Sequence, residues 1–500
     1  MKKLLILFVT FYLAVFSVYG QENMLYFEVQ QAKRLNVNFE NGVLRETSAD
    51  TSVLRSFINR NEVFFFDDIS ANVKRGESKA MNLVMPLRTE NMVLELIEVP
   101  ESFYSYEVMT SDGAKRSANR EIRHYRGVVR GVENSLVAIT LYEDEIIGIV
   151  STDEGNFNLV KDNRSGKHLF YNERNIKKRP DIICSTVNDL SFSYDPEILS
   201  KQRDILSERT GAIQSRLINK DVRFYLETEY NVYQTLGSIS SVEVFMASLF
   251  NQVAVIFQNE SILTSMSCMY IWISNDPYTG TSTSTLLTQF QNTRTSIIGD
   301  LGILLTFRNI GGGMAAGFVG LCNPSTAGKL SVAMLDPTYE IVPVYSWSVF
   351  IVIHELGHLF GSRHTHACVW NGNNTAIDGC ARFVEGNCPL PGIPSGGTIM
   401  SYCHFQNIIN FNLGFGLQPG NVIRNSVNNA SCLLPPCNNP VNFINQTVTQ
   451  GVSISSCGTI NVQNTTVTPT GILNIRATER VDIGPGFTVQ QGGTLIIQVP

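Results

Sequence analysis

Charge is scarce in this 500-residue chain. Asp, Glu, Lys and Arg make up 16% of it, against roughly a quarter in ordinary soluble proteins. Neither sign dominates. The 38 Lys and Arg against 44 Asp and Glu give a formal net charge of −6, which leaves no basic face of the kind that binds nucleic acid. Histidine is also sparse, at 7, so any cluster of histidines is informative. Cysteine, at 10, is too rare for a small disulfide scaffold and too frequent for a reduced cytosolic protein. Apolar content, at 43%, is enough to build cores and excludes disorder throughout. Glycine at 38, with a richness in Thr, Ser and Asn, indicates β-structure and many turns. At roughly 150 residues per domain, the length suggests about three domains.

The first 20 residues, MKKLLILFVTFYLAVFSVYG, join Lys2 and Lys3 to an apolar run from Leu4 to Val18 and a small Gly20. That order is the pattern of a secretory signal peptide, and the polar Gln21, Glu22 and Asn23 that follow argue against an anchor. No later stretch reads as long and apolar enough to cross a bilayer. The mature chain is therefore expected to be secreted, in an extracellular setting where disulfides persist.

From Gln21 to about Arg179, short apolar runs alternate with polar turns. Val128, Val137, Ile139, Ile146 and Ile149 stand in the period-two pattern of antiparallel strands. Lys177, Lys178 and Arg179 offer a site for proteolytic release or form a solvated charge cluster, and the polar stretch from Ser185 to Lys220 reads as an exposed linker. At Val222 the character becomes mixed α/β. VRFYLETEYNVY reads as a strand, VEVFMASLFNQVAVIF as a helix, MSCMYIWIS as a buried strand and TLLTQFQNTRTSI as a second helix. Beyond Pro435 and Pro436, Thr, Val and Ile with regular Gly turns read as a small all-β module, stacked or sandwich-like.

Five of the seven histidines fall between His354 and His404. In VFIVIHELGHLFGSRHTH, His354 and His358 are four residues apart, which on a helix puts both rings on one face, one turn apart. Glu355 sits beside the first of them. Gly361 allows the helix to end in a left-handed turn that returns His364 as a third nitrogen ligand. Three neutral imidazoles leave a position open, as in a catalytic rather than a structural zinc site. The apolar run Val349 to Ile353 makes this a buried, rigid helix. A single histidine there would read as a core residue; three at this spacing do not.

These positions, followed by Met400 in SGGTIMSYCH, resemble the metzincin zinc metalloprotease signature. Within that group the chain resembles the adamalysin or reprolysin-like branch. HYRGVVRGVENSLVAIT is similar to its propeptide, and GGGMAAGFVGLC to the strand and cysteine before its active-site helix. The resemblance implies a base under the zinc ligands at Met400, a disulfide between Cys322 and Cys432, and a calcium ligand at Asp300. Together with the strand patterns read on either side, it gives the expected fold class: a multidomain chain with an α/β (α+β) metzincin catalytic domain, a mostly β propeptide and a small all-β tail. The expected division is signal 1–20, propeptide 21–200 with a linker to about 219, catalytic domain 220–434 and C-terminal module 435–500. Thr365 departs from the branch, which usually carries Asp there. Tyr402 stands two residues after Met400, as in astacins and serralysins, where that tyrosine reaches the zinc or stabilises the tetrahedral intermediate; the alternative is a packing tyrosine.

The implied chemistry is peptide hydrolysis with one Zn2+, Glu355 as general base, and Ca2+ as a possible second ion. The stretch Gly313, Met314, Ala315, Ala316 and Gly317 suits an edge strand to which a substrate backbone can pair, and equally a glycine-rich turn. His404 and Phe405 are expected near the scissile bond, and His366 and His404 are expected at the surface or behind the ligands. The expected partners are protein or peptide substrates of a monomeric enzyme, with no nucleic acid and no transmembrane span. Cys368, Cys380, Cys388 and Cys403 are close enough for two local bridges, and Cys437 with Cys457 would staple the tail. Two readings of the remainder stay open: Cys184 blocks the zinc as a free thiolate, or Cys184 pairs with Cys268. Ser185 follows Cys184 where such switch motifs commonly carry glycine. A non-enzymatic alternative is an inactive protease-like domain serving in surface binding.

Overall fold

The computed structural model describes residues 23–48, 54, 57–58, 63–69, 78–88, 90–162, 164–177, 183–187, 191–201, 220–336, 344–433, 441–456, 459–477 and 480–498. The expected export signal at 1–20, Lys178 and Arg179, most of the expected linker to 219, and Cys437 and Cys457 with their expected bridge lie outside the described residues.

The N-terminal third closes into a barrel. Its strands are β1 (Glu40–Thr47), β2 (Val63–Ile69), β3 (Ala80–Pro86) and β4 (Asn91–Glu98), then β7 (Arg123–Val129), β8 (Val132–Tyr142), β9 (Glu145–Thr152), β10 (Gly155–Asp162) and β11 (Lys167–Asn172). They follow the order β1-β2-β11-β10-β9-β8-β7-β4-β3, antiparallel except where β1 meets β3 in parallel and closes the ring. Side chains alternate along each strand, and β8 shows what each face does. Val137, Ile139 and Leu141 fill the barrel with Phe66, Leu94, Tyr125 and Phe170. Leu136 and Ala138, on the other face, join a core that continues into the second half of the chain. Both faces are buried from Ser135 to Leu141, and the run from Leu136 to Ile139 is accordingly apolar at every position. Helix α1 (Met24–Arg34), capped by Asn23, packs Leu25 and Val29 into the same continuous core.

The second half is built on a sheet of order β12-β16-β17-β15-β13-β14-β5-β6. Its middle is parallel: β13 (Asp221–Thr228), β14 (Leu263–Ile271), β15 (Leu301–Thr306) and β17 (Leu330–Met334), with β16 (Gly312–Ala315) antiparallel to β17. Both outer positions come from the N-terminal region. At one end lie β5 (Glu107–Thr110), parallel to β14, and its hairpin partner β6 (Lys115–Ser117). At the other, β12 (Ile183–Cys184) runs parallel to β16.

The helices of this part are α2 (Pro196–Ser200), α3 (Tyr230–Leu236), α4 (Ile239–Asn259), α5 (Thr283–Thr293), α6 (Tyr345–Leu359) and α7 (Leu417–Asn429). Four expectations change here. Residues 230–233, read as the end of a strand, begin α3, because Gly237 supplies a left-handed cap at φ 80°. A stretch of membrane-spanning length and composition does exist, α4, but most of it is buried in the core. Its polar residues meet the N-terminal region: Asn251 accepts from Tyr104 (2.8 Å) and from Arg126 of the barrel (2.9 Å), and Glu243 accepts from Tyr106 (3.1 Å) and from Arg116 of β6 (2.5 Å). The supposed linker is anchored within 191–201, where Tyr194 and Leu199 are buried against Ala367, Val369, Trp370 and Val422 while most of their neighbours stay exposed. Asp300 holds Arg223, which donates to it from Nε at 3.2 Å, so a side-chain cation already faces that carboxylate and the calcium expectation finds no support.

The strands within 441–456, 459–477 and 480–498 stack as parallel rungs. Val441 pairs with Ile460, Thr447 with Thr466 and Gly451 with Ile472, and each strand pairs again with one a further turn along the chain. Val448, Ile460, Val462, Val467, Leu473 and Ile475 fill the interior. The stacked form of the all-β tail is the one observed, not a sandwich.

Candidate metal centre

Helix α6 is buried along its whole length, which fixes the side chains of His354, Glu355 and His358. It ends at Gly361, whose φ of +108° turns the chain back, and His364 returns beside the other two. Each ring is oriented by its Nδ1. His354 Nδ1 donates to the carbonyl of Ile399 at 2.8 Å and His358 Nδ1 to that of Ser362 at 2.7 Å. His364 Nδ1 donates to Glu385 at 2.9 Å. Carbonyl and carboxylate oxygens only accept, so the proton of each ring is on Nδ1 and every Nε2 presents a lone pair. Burial pushes His354, His358 and His364 below the usual imidazole range, which keeps them neutral.

The lone pairs converge. His358 Nε2 and His364 Nε2 are 3.2 Å apart, and His354 Nε2 is buried with no hydrogen-bond partner among the described residues. Two acceptors facing each other repel unless a cation lies between them. Nitrogen–zinc bonds of about 2.0–2.1 Å in a tetrahedron put ligands about 3.3 Å apart, so the donor set fits this ion. Cys184 supplies a fourth donor, its Sγ 3.3 Å from His358 Nε2. The Cys184 Sγ and the three histidine nitrogens all lie within 4.8 Å of one another. In protein surroundings alone, burial and the neighbouring Glu355 push the Cys184 thiol far up; a bound cation reverses this, since a coordinating thiol is deprotonated.

The sequence had left Cys184 open between a free thiol and a bridge to Cys268. Both are free and buried. The bridges present among the described residues are Cys322–Cys432, Cys368–Cys388 and Cys380–Cys403.

Glu355 is fully buried under the strand that carries Cys184. Its Oε2 accepts from Thr186 Oγ1 at 3.2 Å and lies 3.5 Å from Cys184 Sγ, and burial pushes its carboxyl up to about 8. Gly313 of β16 sits directly above it: a Cβ there would lie 2.5 Å from Glu355 Oε1. The expected edge stretch 313–317 is strand as far as Ala315, then turns at Gly317. Its open edge is taken by β12, with Cys184 opposite Gly313. Met400 is buried beneath α6, where a Cβ on Gly357 would meet its Sδ at 2.6 Å. Tyr402 is brought to the site and donates from its hydroxyl to the Cys184 carbonyl at 2.9 Å.

Sequence reading placed His366 only loosely and missed Glu385 altogether. His366 is fully buried, stacked on His364 at 4.8 Å with its Nε2 3.3 Å from Glu385. Burial works against the Glu385 charge, but His364 and His366 outweigh it and hold the carboxyl at about 2. Glu385 is pinned by backbone hydrogen bonds to His366 (3.0 Å) and Cys368 (2.9 Å), within the loop closed by Cys368–Cys388. Lying 21 residues past His364 in an irregular loop, it shows no periodic signal; only the short disulfide loop hints at it. His404 and Phe405 lie beside Tyr402, with ring centroids at 5.4 and 5.7 Å.

A family model described as Metallo-peptidase family M12, of reprolysin type, matches residues 219–412. The crystal structure of metalloproteinase-II from Bacteroides fragilis aligns with 68% of this chain and 94% of its own, at 14% identity and a TM-score of 0.37. The structure of a chaperone–substrate complex aligns with 57% of this chain and 38% of its own, at 12% identity and a TM-score of 0.28. No curated protein matches the chain. The family match spans the helix that carries His354, Glu355 and His358, so residues 219–412 are similar to a reprolysin-type metallopeptidase domain.

Proposed function

We propose that the chain is a secreted, zinc-dependent endopeptidase made in a latent form, with Cys184 as the group that holds it latent. The observation that carries this reading is the convergence of three histidine Nε2 atoms with Cys184 Sγ. On this reading residues 21–200 are the propeptide, 220–434 the peptidase domain and 435–500 an appended module.

His354, His358 and His364 would hold the ion. When bound, zinc lowers the pKa of a water and polarises a carbonyl. The protein's own groups do the rest. Glu355 takes the proton of the attacking water on its carboxylate and returns it to the leaving nitrogen. Tyr402, once released from the Cys184 carbonyl, turns its hydroxyl toward the developing oxyanion. β16 offers its backbone to an extended peptide, a place β12 fills in the latent chain. While β12 and Cys184 are seated, water has no access to Glu355.

The test compares full-length protein, Cys184→Ala and Cys184→Ala/Glu355→Ala on casein, with zinc measured in each. One zinc per chain throughout, with activity appearing only in Cys184→Ala, is the expected result. A Cys184→Ala chain as inert as the wild type, with activity appearing only after proteolysis, would remove the thiol from the latency mechanism. Absence of zinc from every form would remove the peptidase reading itself.

A further inference from the structure

Arg363, next to the ligand His364, is a guanidinium only 5% exposed, and its Nε has no hydrogen-bond partner among the described residues. Ring faces and the Tyr194 hydroxyl meet its charge. Its Cζ lies 3.4 Å from the centroid of Phe192, 4.3 Å from that of Phe318 and 5.6 Å from that of Tyr194. Phe318 belongs to the peptidase domain and stands edge-on to His358 at 5.3 Å. Phe192 and Tyr194 belong to the segment that follows Cys184. Tyr194 stacks on Trp370 at 4.7 Å, donates to the Gly361 carbonyl at 2.6 Å and accepts from the Arg363 backbone at 3.0 Å.

The peptidase domain thus carries a groove floored by Phe318, Arg363, Trp370 and Val422, and aromatic side chains of the latency segment fill it. Once that segment leaves, one face of the guanidinium is bare. A ring restores the cation–π contact and covers the apolar floor together. A carboxylate would pair with the charge but would be desolvated against Trp370, Val422 and Phe318.

We infer that this groove is a substrate subsite for an aromatic side chain, with Arg363 as the specificity-determining residue, and that Phe192 occupies its place in the latent chain. This rests on the peptidase reading above.

The experiment uses the processed enzyme and peptide sets in which each position on either side of the scissile bond carries Phe, Ala or Glu in turn. At one position Phe raises kcat/KM about tenfold over Ala in the wild type, and Arg363→Ala brings that ratio close to one. Arg363→Lys, which keeps the charge without the flat guanidinium, falls between. A synthetic peptide of residues 183–201 is the second measurement: Phe192→Ala weakens its inhibition of the wild type about tenfold and has little effect on Arg363→Ala. An aromatic preference that survives in Arg363→Ala, a preference for Glu over Phe, or no coupling between Phe192 and Arg363 overturns the inference. A processed enzyme that binds zinc and cleaves no peptide overturns the peptidase reading, and the subsite with it.

Discussion

The hydroxyl of Tyr402 donates to the carbonyl oxygen of Cys184 across 2.9 Å. A side chain beside the metal ligands is thereby tied to the backbone of the residue whose sulfur faces them. On the proposed reading the same donor cannot serve the prosegment and a substrate at once, so latency and catalysis would compete for it.

Tyr402→Phe tests both sides of that competition. In the latent chain the loss of one buried hydrogen bond, about 1 kcal/mol, makes Cys184 about fivefold more reactive toward a thiol reagent. In the processed chain the loss of an oxyanion donor lowers kcat by about a hundredfold, with KM little changed. Thiol-labelling rates and steady-state kinetics read the two effects. An unchanged kcat would make Tyr402 a packing residue.

Glu385 fixes the His364 ring from behind, through a 2.9 Å hydrogen bond to Nδ1. Partners of this kind set ligand orientation and basicity, and their loss typically costs 10–100-fold in metal affinity. Glu385→Ala is expected to release zinc to a chelator about 10–100-fold more readily than wild type, with Glu385→Gln intermediate because its amide oxygen still accepts. Competition titration against a coloured chelator measures this without any substrate.

Gly313 has no room for a side chain, since its Cβ would fall 2.5 Å from Glu355 Oε1 and 2.6 Å from Glu355 Cγ. Gly313→Ala must therefore shift the carboxyl it faces. The processed variant is expected to keep its zinc and to lose roughly a hundredfold or more in kcat/KM, in line with loss of general-base catalysis. Zinc content and peptide hydrolysis, measured on the same sample, separate this outcome from unfolding.

Asp221 gives a pH dependence. Burial raises its carboxyl to about 6, with Asp300 adding to the shift and the hydrogen bond from Ser265 opposing it. In the unfolded chain an aspartate titrates near about 3.9. The folded state therefore binds the proton more tightly, and stability falls as pH rises from about 4 to about 6, by about 3 kcal/mol in all. Asp221→Asn removes that slope. Thermal melts at pH 4 and pH 8 should differ less for the variant than for the wild type, with the gain at pH 8.

Local rules made the helix of the candidate metal centre legible. A spacing of four residues puts His354 and His358 on one face whatever surrounds them, and Gly361 is needed where φ reaches +108°. The same holds for β8, whose alternating residues serve two cores, and for the Thr- and Val-rich tail, whose short strands repeat at nearly constant spacing. What the sequence could not decide depends on long-range closure. The choice between a free Cys184 and a bridge to Cys268 was settled by β12 lying along β16, which carries the sulfur to ligands 170 and more residues away. Glu385 reaches His364 from an irregular loop held by a disulfide, and Phe192 reaches Arg363 from a stretch whose composition reads as solvent-exposed. Periodicity governs neighbours along the chain; which loop or strand edge meets which site is fixed only when the whole sheet and its shared core assemble.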